Sequence, residues 1–240
     1  MKTNSWKALI LFLVLIPAGI YAQDEKSLWI DVKAGFNSVW IVNQNTYQNP
    51  ELDYATKFGL AGGVGVNYFI NDDFGFNVSP GYIGLGQNYN DNKSGDGVSR
   101  KVSLNYIQVP LLLMLKIPNT NDPTWIAFGP DLMFLTGAKQ EFVNTSGTYV
   151  VNNPDGLKTG DIKERFKPFD LALDFSVNKM YELRSYDNMM FLFSFNTSYG
   201  LLDINSADYQ DPNLKGEYKP SHNFYFGIRA GLMFNASGNR

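Results

Sequence analysis

The chain has 240 residues, no cysteine, a single histidine and a formal net charge of −3, with 18 Phe, 14 Tyr, 4 Trp and 22 Gly. The lack of cysteine excludes disulfides and thiolate metal sites, and the acidic balance, with no basic stripe, argues against a nucleic-acid partner. Beyond the first 22 residues no apolar run is long enough for a transmembrane helix, so a crossing of a bilayer would have to be made by strands.

Lys2 and Lys7 precede an apolar segment, Ala8 to Ile16, which Pro17 and Gly19 interrupt before the small residue Ala22. This is the layout of a cleaved export signal, too short to anchor the chain. Residues 1–22 are set apart as a signal peptide cut near Ala22, and 23–240 are read as one domain. Without Lys2 and Lys7, 18 basic residues face 23 acidic ones, a net charge of −5. An exported chain of this size without disulfides fits a Gram-negative envelope.

Eight segments then alternate with period two or have strand-like composition at the length a tilted membrane strand needs. The first, Leu28 to Asn37, sets Leu28, Ile30, Val32, Ala34 and Phe36 against Trp29, Asp31, Lys33, Gly35 and Asn37. The second, Lys57 to Phe69, has an apolar face and a face of mostly Gly and Ala, which leaves room for bulky side chains from neighbouring strands. In the third, Phe74 to Gln87, Pro80 cannot donate to a ladder and marks a bulge. The fourth, Val102 to Lys116, is nearly continuously apolar over residues 109–115, so Leu112 and Met114 are expected to plug the interior. The fifth, Trp125 to Leu135, and the sixth, Pro168 to Val177, place Asp131, Asp170 and Asp174 opposite faces rich in Phe and Leu. In the seventh, Met189 to Gly200, three Phe oppose Ser and Asn. The last is the clearest: Phe224, Phe226, Ile228, Ala230, Leu232 and Phe234 share one face, while Arg229 lies on the other. An apolar face backed by a face holding a guanidinium is the dyad pattern of a membrane-spanning strand. A soluble sandwich would give the same alternation with the apolar face turned inward.

The connections decide between the two. Those after the second, fourth and sixth segments are short; those after the first, third, fifth and seventh are long and polar. Strict alternation of short and long connections is the signature of an up-and-down barrel with periplasmic turns and outer loops. The expected fold is all-β: an eight-stranded up-and-down antiparallel transmembrane β-barrel in the outer membrane, its apolar faces against lipid. Within residues 139–167, Phe142-Val143 and Tyr149-Val150-Val151 flank Ser146-Gly147, the makings of a small hairpin above the membrane; a further transmembrane hairpin there is the alternative. Trp29, Tyr68, Phe69, Phe74, Tyr89, Trp125, Tyr181 and Tyr199 fall near strand ends, where aromatic girdles are expected.

An eight-stranded barrel has an interior just filled by side chains. Its inward charges, Asp31, Lys33, Lys116, Asp131, Asp170, Asp174 and Arg229, must therefore pair with one another. The expected outcome is a lumen charge network in which Arg229 pairs with one or more of Asp31, Asp131 and Asp174, and no catalytic site. Ser176-Val177-Asn178-Lys179 matches a Ser-x-x-Lys string, but on a strand rather than at a helix start it is chance. His222 has no second histidine or cysteine to make a metal site. The stretch Asn90 to Asp96 is oxygen-rich, yet Lys101 stands where a calcium loop closes with glutamate. No metal and no cofactor are implied.

Three segments carry a family resemblance: Val32-Lys33-Ala34-Gly35-Phe36-Asn37, the glycine-rich run Gly59 to Tyr68, and Tyr106-Ile107-Gln108-Val109-Pro110-Leu111-Leu112. The chain resembles the outer-membrane β-barrel domain proteins often labelled porin-family or PorT-like, with Gln108 where an acid is commonest. The resemblance covers the mature chain and implies fold and location, with outer-membrane lipid as its surroundings and a link to secretion machinery. The last strand, with Phe224, Phe226, Ile228, Leu232 and Phe234, resembles the signal that barrel-assembly machinery reads, although six residues follow Phe234. The expected role is structural or interactive, through outer loops that adhere, protect the surface or dock an extracellular or secretion-system protein. A narrow channel or small-ligand transporter is the alternative.

Overall fold

The structure is a computed structural model that describes residues 26–42, 52–91, 99–143, 149–150, 159–183, 188–210 and 217–237. The expected signal peptide and most of the oxygen-rich Asn90–Asp96 stretch lie outside these residues. Twelve strands run in chain order: β1 (Ser27–Val42), β2 (Leu52–Ala55), β3 (Lys57–Phe69), β4 (Phe74–Val78), β5 (Gly81–Asp91), β6 (Ser99–Lys116), β7 (Thr124–Val143), β8 (Tyr149–Val150), β9 (Gly160–Asp161), β10 (Phe169–Glu182), β11 (Met189–Gly200) and β12 (His222–Asn235).

They close into a ring of eight antiparallel walls. β1 pairs with β12 from Trp29↔Asn235 to Val42↔His222 and with β3 from Ser27↔Phe69 to Val39↔Lys57. β4 and β5 together make one wall, paired with β3 on one side and β6 on the other. The circuit continues through β7, β10 and β11 back to β12. The break between β4 and β5 falls at Ser79-Pro80, where the proline has no N–H to give the ladder. At the short-turn end, which we refer to as periplasmic, Asn71 Oδ1 accepts the N–H groups of Asp73 and Phe74 at 2.9 and 2.8 Å. An Asx side chain thereby closes the tight β3–β4 connection.

The alternation sorts the side chains as a bilayer requires. Leu60, Leu173, Phe193 and Phe226 point outward and are 71, 54, 39 and 42% exposed, whereas Asp174 and Arg229 point inward and are 2 and 4% exposed. Trp29, Phe69, Tyr89 and Trp125 correct the girdle expectation: all four are buried inside the barrel, because they share the inward parity of Asp31, Asn67, Gln87 and Ala127. Tyr68, Phe74, Tyr181 and Tyr199 lie outside, as a girdle requires.

The walls differ in height. β6 and β7 run for 18 and 20 residues, well beyond the ~10 a tilted span needs. Lys101 and Lys139 stand exposed on their outer ends, so this side rises out of the membrane. The short hairpin is present as Phe142↔Val150 and Val143↔Tyr149, and β9 pairs with β7 beside it. On the opposite side the wall splits. β1 keeps β12 up to Val42 but leaves β3 above Val39, and β2 continues upward paired with β5.

Candidate functional site

The lumen is built in three storeys. At the periplasmic end Trp29, Phe69, Leu112, Met114, Trp125, Met180, Leu192 and Met233 pack into an apolar floor, with the Phe69 and Trp125 rings 4.7 Å apart. At the outer end a second apolar cluster forms a roof. It joins Ile83, Leu85, Leu104, Tyr106, Met133 and Leu135 of the walls to Ile162, Phe166 and Ile204 of the loops. Between them lies a polar layer. A small void of about 20 Å3 there touches Lys33, Asn77, Asp174 and Arg229, room for about one water molecule.

The sequence-derived charges occupy this interior in separate groups. Asp31 accepts from Asn67 Nδ2 at 2.6 Å, and Lys33 Nζ lies 3.4 Å from Asp31 Oδ1 while donating to Ser79 Oγ at 2.9 Å. Ser79 donates to Asn77, and Asn77 to Asn67, both at 2.7 Å. The chain of donors therefore closes on itself. Gly65 makes this possible, because a Cβ there would collide with the Asp31 carboxylate and the Ser79 hydroxyl.

Arg229 reaches its carboxylate through an intermediary. Its Nη2 donates to the Tyr225 hydroxyl at 3.3 Å, and Tyr225 donates to Asp174 Oδ2 at 2.8 Å. The direct pairing expected of Arg229 is not among the ion pairs of the described residues. Register is the cause: Asp174 and Tyr225 both lie opposite Ser198 of β11, whereas Arg229 lies opposite Ser194. The tyrosine stands between them.

Asp170 sits higher, in the roof. Asn223 Nδ2 donates to its Oδ2 at 2.9 Å and to the Tyr106 hydroxyl at 3.2 Å. Asp131 is fully buried and no side chain donates to either of its oxygens; Asp174, Arg229 and the Val109 backbone are its polar neighbours. Lys116 is half-buried at the periplasmic rim and takes no part in the polar layer. Its backbone N–H donates to the Asp73 carbonyl at 3.0 Å.

Sequence reasoning passed over the neutral partners: Asn67, Asn77, Ser79, Tyr225 and Asn223. It also passed over a second ladder, in which Ser194 donates to Asn178 and Asn178 to Ser176. Their inward parity is visible in the alternation, but a neutral side chain carries no charge to mark it as a partner. Among the described residues no group of His and acidic side chains could hold a metal ion.

Above the roof the third long loop, between β7 and β10, and the fourth, between β11 and β12, are tied together. Asp203 accepts from Tyr218 at 2.6 Å, from Gln210 Nε2 at 2.8 Å and from the N–H groups of Ser221 and Asn205 at 3.0 and 3.2 Å. Lys167 lies 3.7 Å from the same carboxylate, Phe166 bridges to Asn205, and the Arg165 guanidinium covers the Tyr209 ring at 5.5 Å. Burial, and the hydrogen bond to Asp203, push the Tyr218 hydroxyl above its ordinary pKa.

Comparison with known proteins agrees with this architecture. Residues 21–206 match the family described as outer membrane protein beta-barrel domain. Similar solved structures include Neisserial surface protein A, at 13% identity over 88% of this chain and 99% of that one, with a TM-score of 0.42. The outer membrane protein OprG from Pseudomonas aeruginosa is 12% identical over 89% and 98% of the two chains, with a TM-score of 0.45. Ail, the attachment invasion locus protein of Yersinia pestis, is 11% identical over 87% and 99%, with a TM-score of 0.37. No curated protein matches the chain. With its ring of eight walls, apolar exterior and filled interior, the chain belongs to the outer-membrane β-barrel domain family and resides in the outer membrane.

Proposed function

We propose that the protein is a non-enzymatic envelope component, a closed barrel carrying an ordered outer platform that docks an extracellular or secretion-system partner or shields the surface. The observation that carries this reading is the convergence of the third and fourth loops on Asp203. Ile162, Phe166 and Ile204 anchor those loops in the roof. Rigid scaffolds display recognition on their loops, and the described parts of these loops, 159–167 and 201–210, are seated on the roof. The two apolar clusters support the closed lumen, since a conducting path would have to pass both.

Single-channel recording of the purified protein in planar bilayers tests the closed barrel. Silence supports it, and stable ion-sized steps would establish the narrow channel instead. Protease treatment of intact cells tests the platform: cleavage within residues 201–221 is expected to be slow in the native chain and fast in Asp203→Ala.

The biogenesis expected from the sequence belongs to the same reading. A signal peptide removed near Ala22 delivers the chain, and assembly machinery recognises the outward face of β12, made by Phe224, Phe226, Ile228, Leu232 and Phe234. N-terminal sequencing of the mature protein, expected to begin at Gln23, checks the first step. Slowed membrane insertion of Phe234→Ser checks the second.

A further inference from the structure

We propose that the split between β1 and β2 seats a single acyl chain of an outer-leaflet lipid. Above Val39↔Lys57 the two strands part, β1 staying with β12 and β2 with β5. The parting leaves a cleft of about 460 Å3 lined by Trp40, Ile41, Val42, Tyr54 and Phe224. Among the described residues, the five that line it carry no charge.

A parted wall normally exposes unpaired backbone groups, which an apolar ligand cannot satisfy. Here the side chain of Gln87, itself fully buried, takes up two of them. Its Oε1 accepts the Ile41 N–H at 3.2 Å, and its Nε2 donates to the Ala55 carbonyl at 2.9 Å. The edges of both strands are therefore tied at this point without closing the gap, and hydrocarbon entering it strands neither group.

The occupant follows from what the cleft joins. Phe195 and Phe226, both in the lipid-facing band, have ring centroids 6.5 Å apart; Phe226 lies 5.2 Å from Trp40, and Trp40 lies 5.7 Å from Phe224. An unbroken aromatic surface thus leads from the band into the cleft. On the far side Lys57 Nζ donates to Ser103 Oγ at 2.9 Å. A chain that climbs the aromatic side remains in apolar surroundings while its headgroup stays outside.

Photolabelling tests the assignment. The protein is refolded into phosphatidylcholine vesicles containing a phospholipid with a diazirine near the end of one acyl chain, then irradiated, digested and mapped by mass spectrometry. Adducts are expected on Val42 and Tyr54 as well as on Phe195 and Phe226. Adducts confined to Phe195 and Phe226 would overturn the proposal. A headgroup diazirine is expected to spare Tyr54, and equal labelling by both probes would also overturn it, because Tyr54 would then merely stand among headgroups. Val42→Trp, which fills the cleft, is expected to lower the Tyr54 adduct several-fold and leave Phe195 unchanged, whereas an unchanged Tyr54 yield counts against the site. Folding of the variant is verified by its heat-modifiable migration on gels, with Val42→Phe as the milder substitute should Val42→Trp fail that check.

Discussion

Gln87 supplies a hydrogen bond that β2 does not: its side-chain Oε1 accepts the Ile41 N–H at 3.2 Å, while its Nε2 holds the Ala55 carbonyl at 2.9 Å and the Asn88 carbonyl at 2.8 Å. A backbone group buried without a partner costs about 1–3 kcal/mol. Gln87→Leu keeps the volume and removes all three contacts, so it is expected to lower the unfolding free energy by at least about 2 kcal/mol. Urea unfolding of the vesicle-inserted barrel, followed by tryptophan fluorescence, measures this. An unchanged value would mean that the strand edges are hydrated through the split.

The relay from Arg229 through Tyr225 to Asp174 makes two substitutions informative in different ways. Arg229→Leu removes the guanidinium that acts on both Asp131 and Asp174 and leaves Lys33 for Asp174, and leaving a buried charge uncompensated costs about 3–5 kcal/mol. Tyr225→Phe removes only the hydroxyl between them and should cost less, about 1–3 kcal/mol. Heat resistance on gels gives the order: native highest, Tyr225→Phe next, Arg229→Leu lowest. Arg229→Leu with native heat resistance would show that the relay does not stabilise the barrel.

These particulars mark how far the sequence could be read. Alternation about Arg229, Phe226 and Phe193 was enough to give eight walls, their parity and the lipid-facing side, because a period of two leaves no ambiguity once loop lengths fix the order. Leu112 and Met114 announced the floor. The strand ends were less legible: β7 continues eight residues past Leu135, where Gly137 and the register shift opposite Asn105/Tyr106 hide its alternation. The interposition of Tyr225 depends on register across three strands, and the reach of Gln87 on the parting of two others. Neither is encoded in any local pattern.

Asp131 is the interior charge with the least to recommend it energetically. It is fully buried, no side chain donates to it, and Asp174 and Asp170 are like-charged neighbours. A buried carboxyl that no side chain holds and that lies beside like charges opposes folding, so Asp131→Asn is expected to raise the unfolding free energy, by about 1–3 kcal/mol. Asp31→Asn should do the opposite, since Asp31 holds both Asn67 and Lys33. Paired urea titrations decide; destabilisation by Asp131→Asn would assign Asp131 a structural partner.

The floor beneath the polar layer should respond as a packed core. Leu112 and Met114 are 8 and 2% exposed among Trp29, Phe69, Trp125 and Met233, and truncating a buried Leu or Met costs about 2–5 kcal/mol. Leu112→Ala and Met114→Ala are each expected to fall in that range while the bilayer recording stays silent, because the roof still closes the lumen. Stable conductance in either variant would locate the seal in the floor alone.

The loop tie at Asp203 is sensitive to pH in a direction that can be worked out. The Tyr218 hydroxyl donates to Asp203, and burial and that carboxylate raise its pKa in the folded protein, whereas in an unfolded loop it titrates near 10. A group with a raised folded-state pKa contributes stability that is complete below its unfolded value and declines as pH rises above it. The platform is therefore expected to hold through neutral pH and to loosen above about pH 10, read as faster hydrogen exchange at Asn205 and Ser221, whose N–H groups Asp203 accepts. After correction for the intrinsic rise of exchange with pH, Tyr218→Phe should exchange faster at neutral pH and lose the alkaline increase. A native protein whose corrected exchange stays flat past that pH would show that Asp203 is held by Gln210 and Lys167 without the tyrosine.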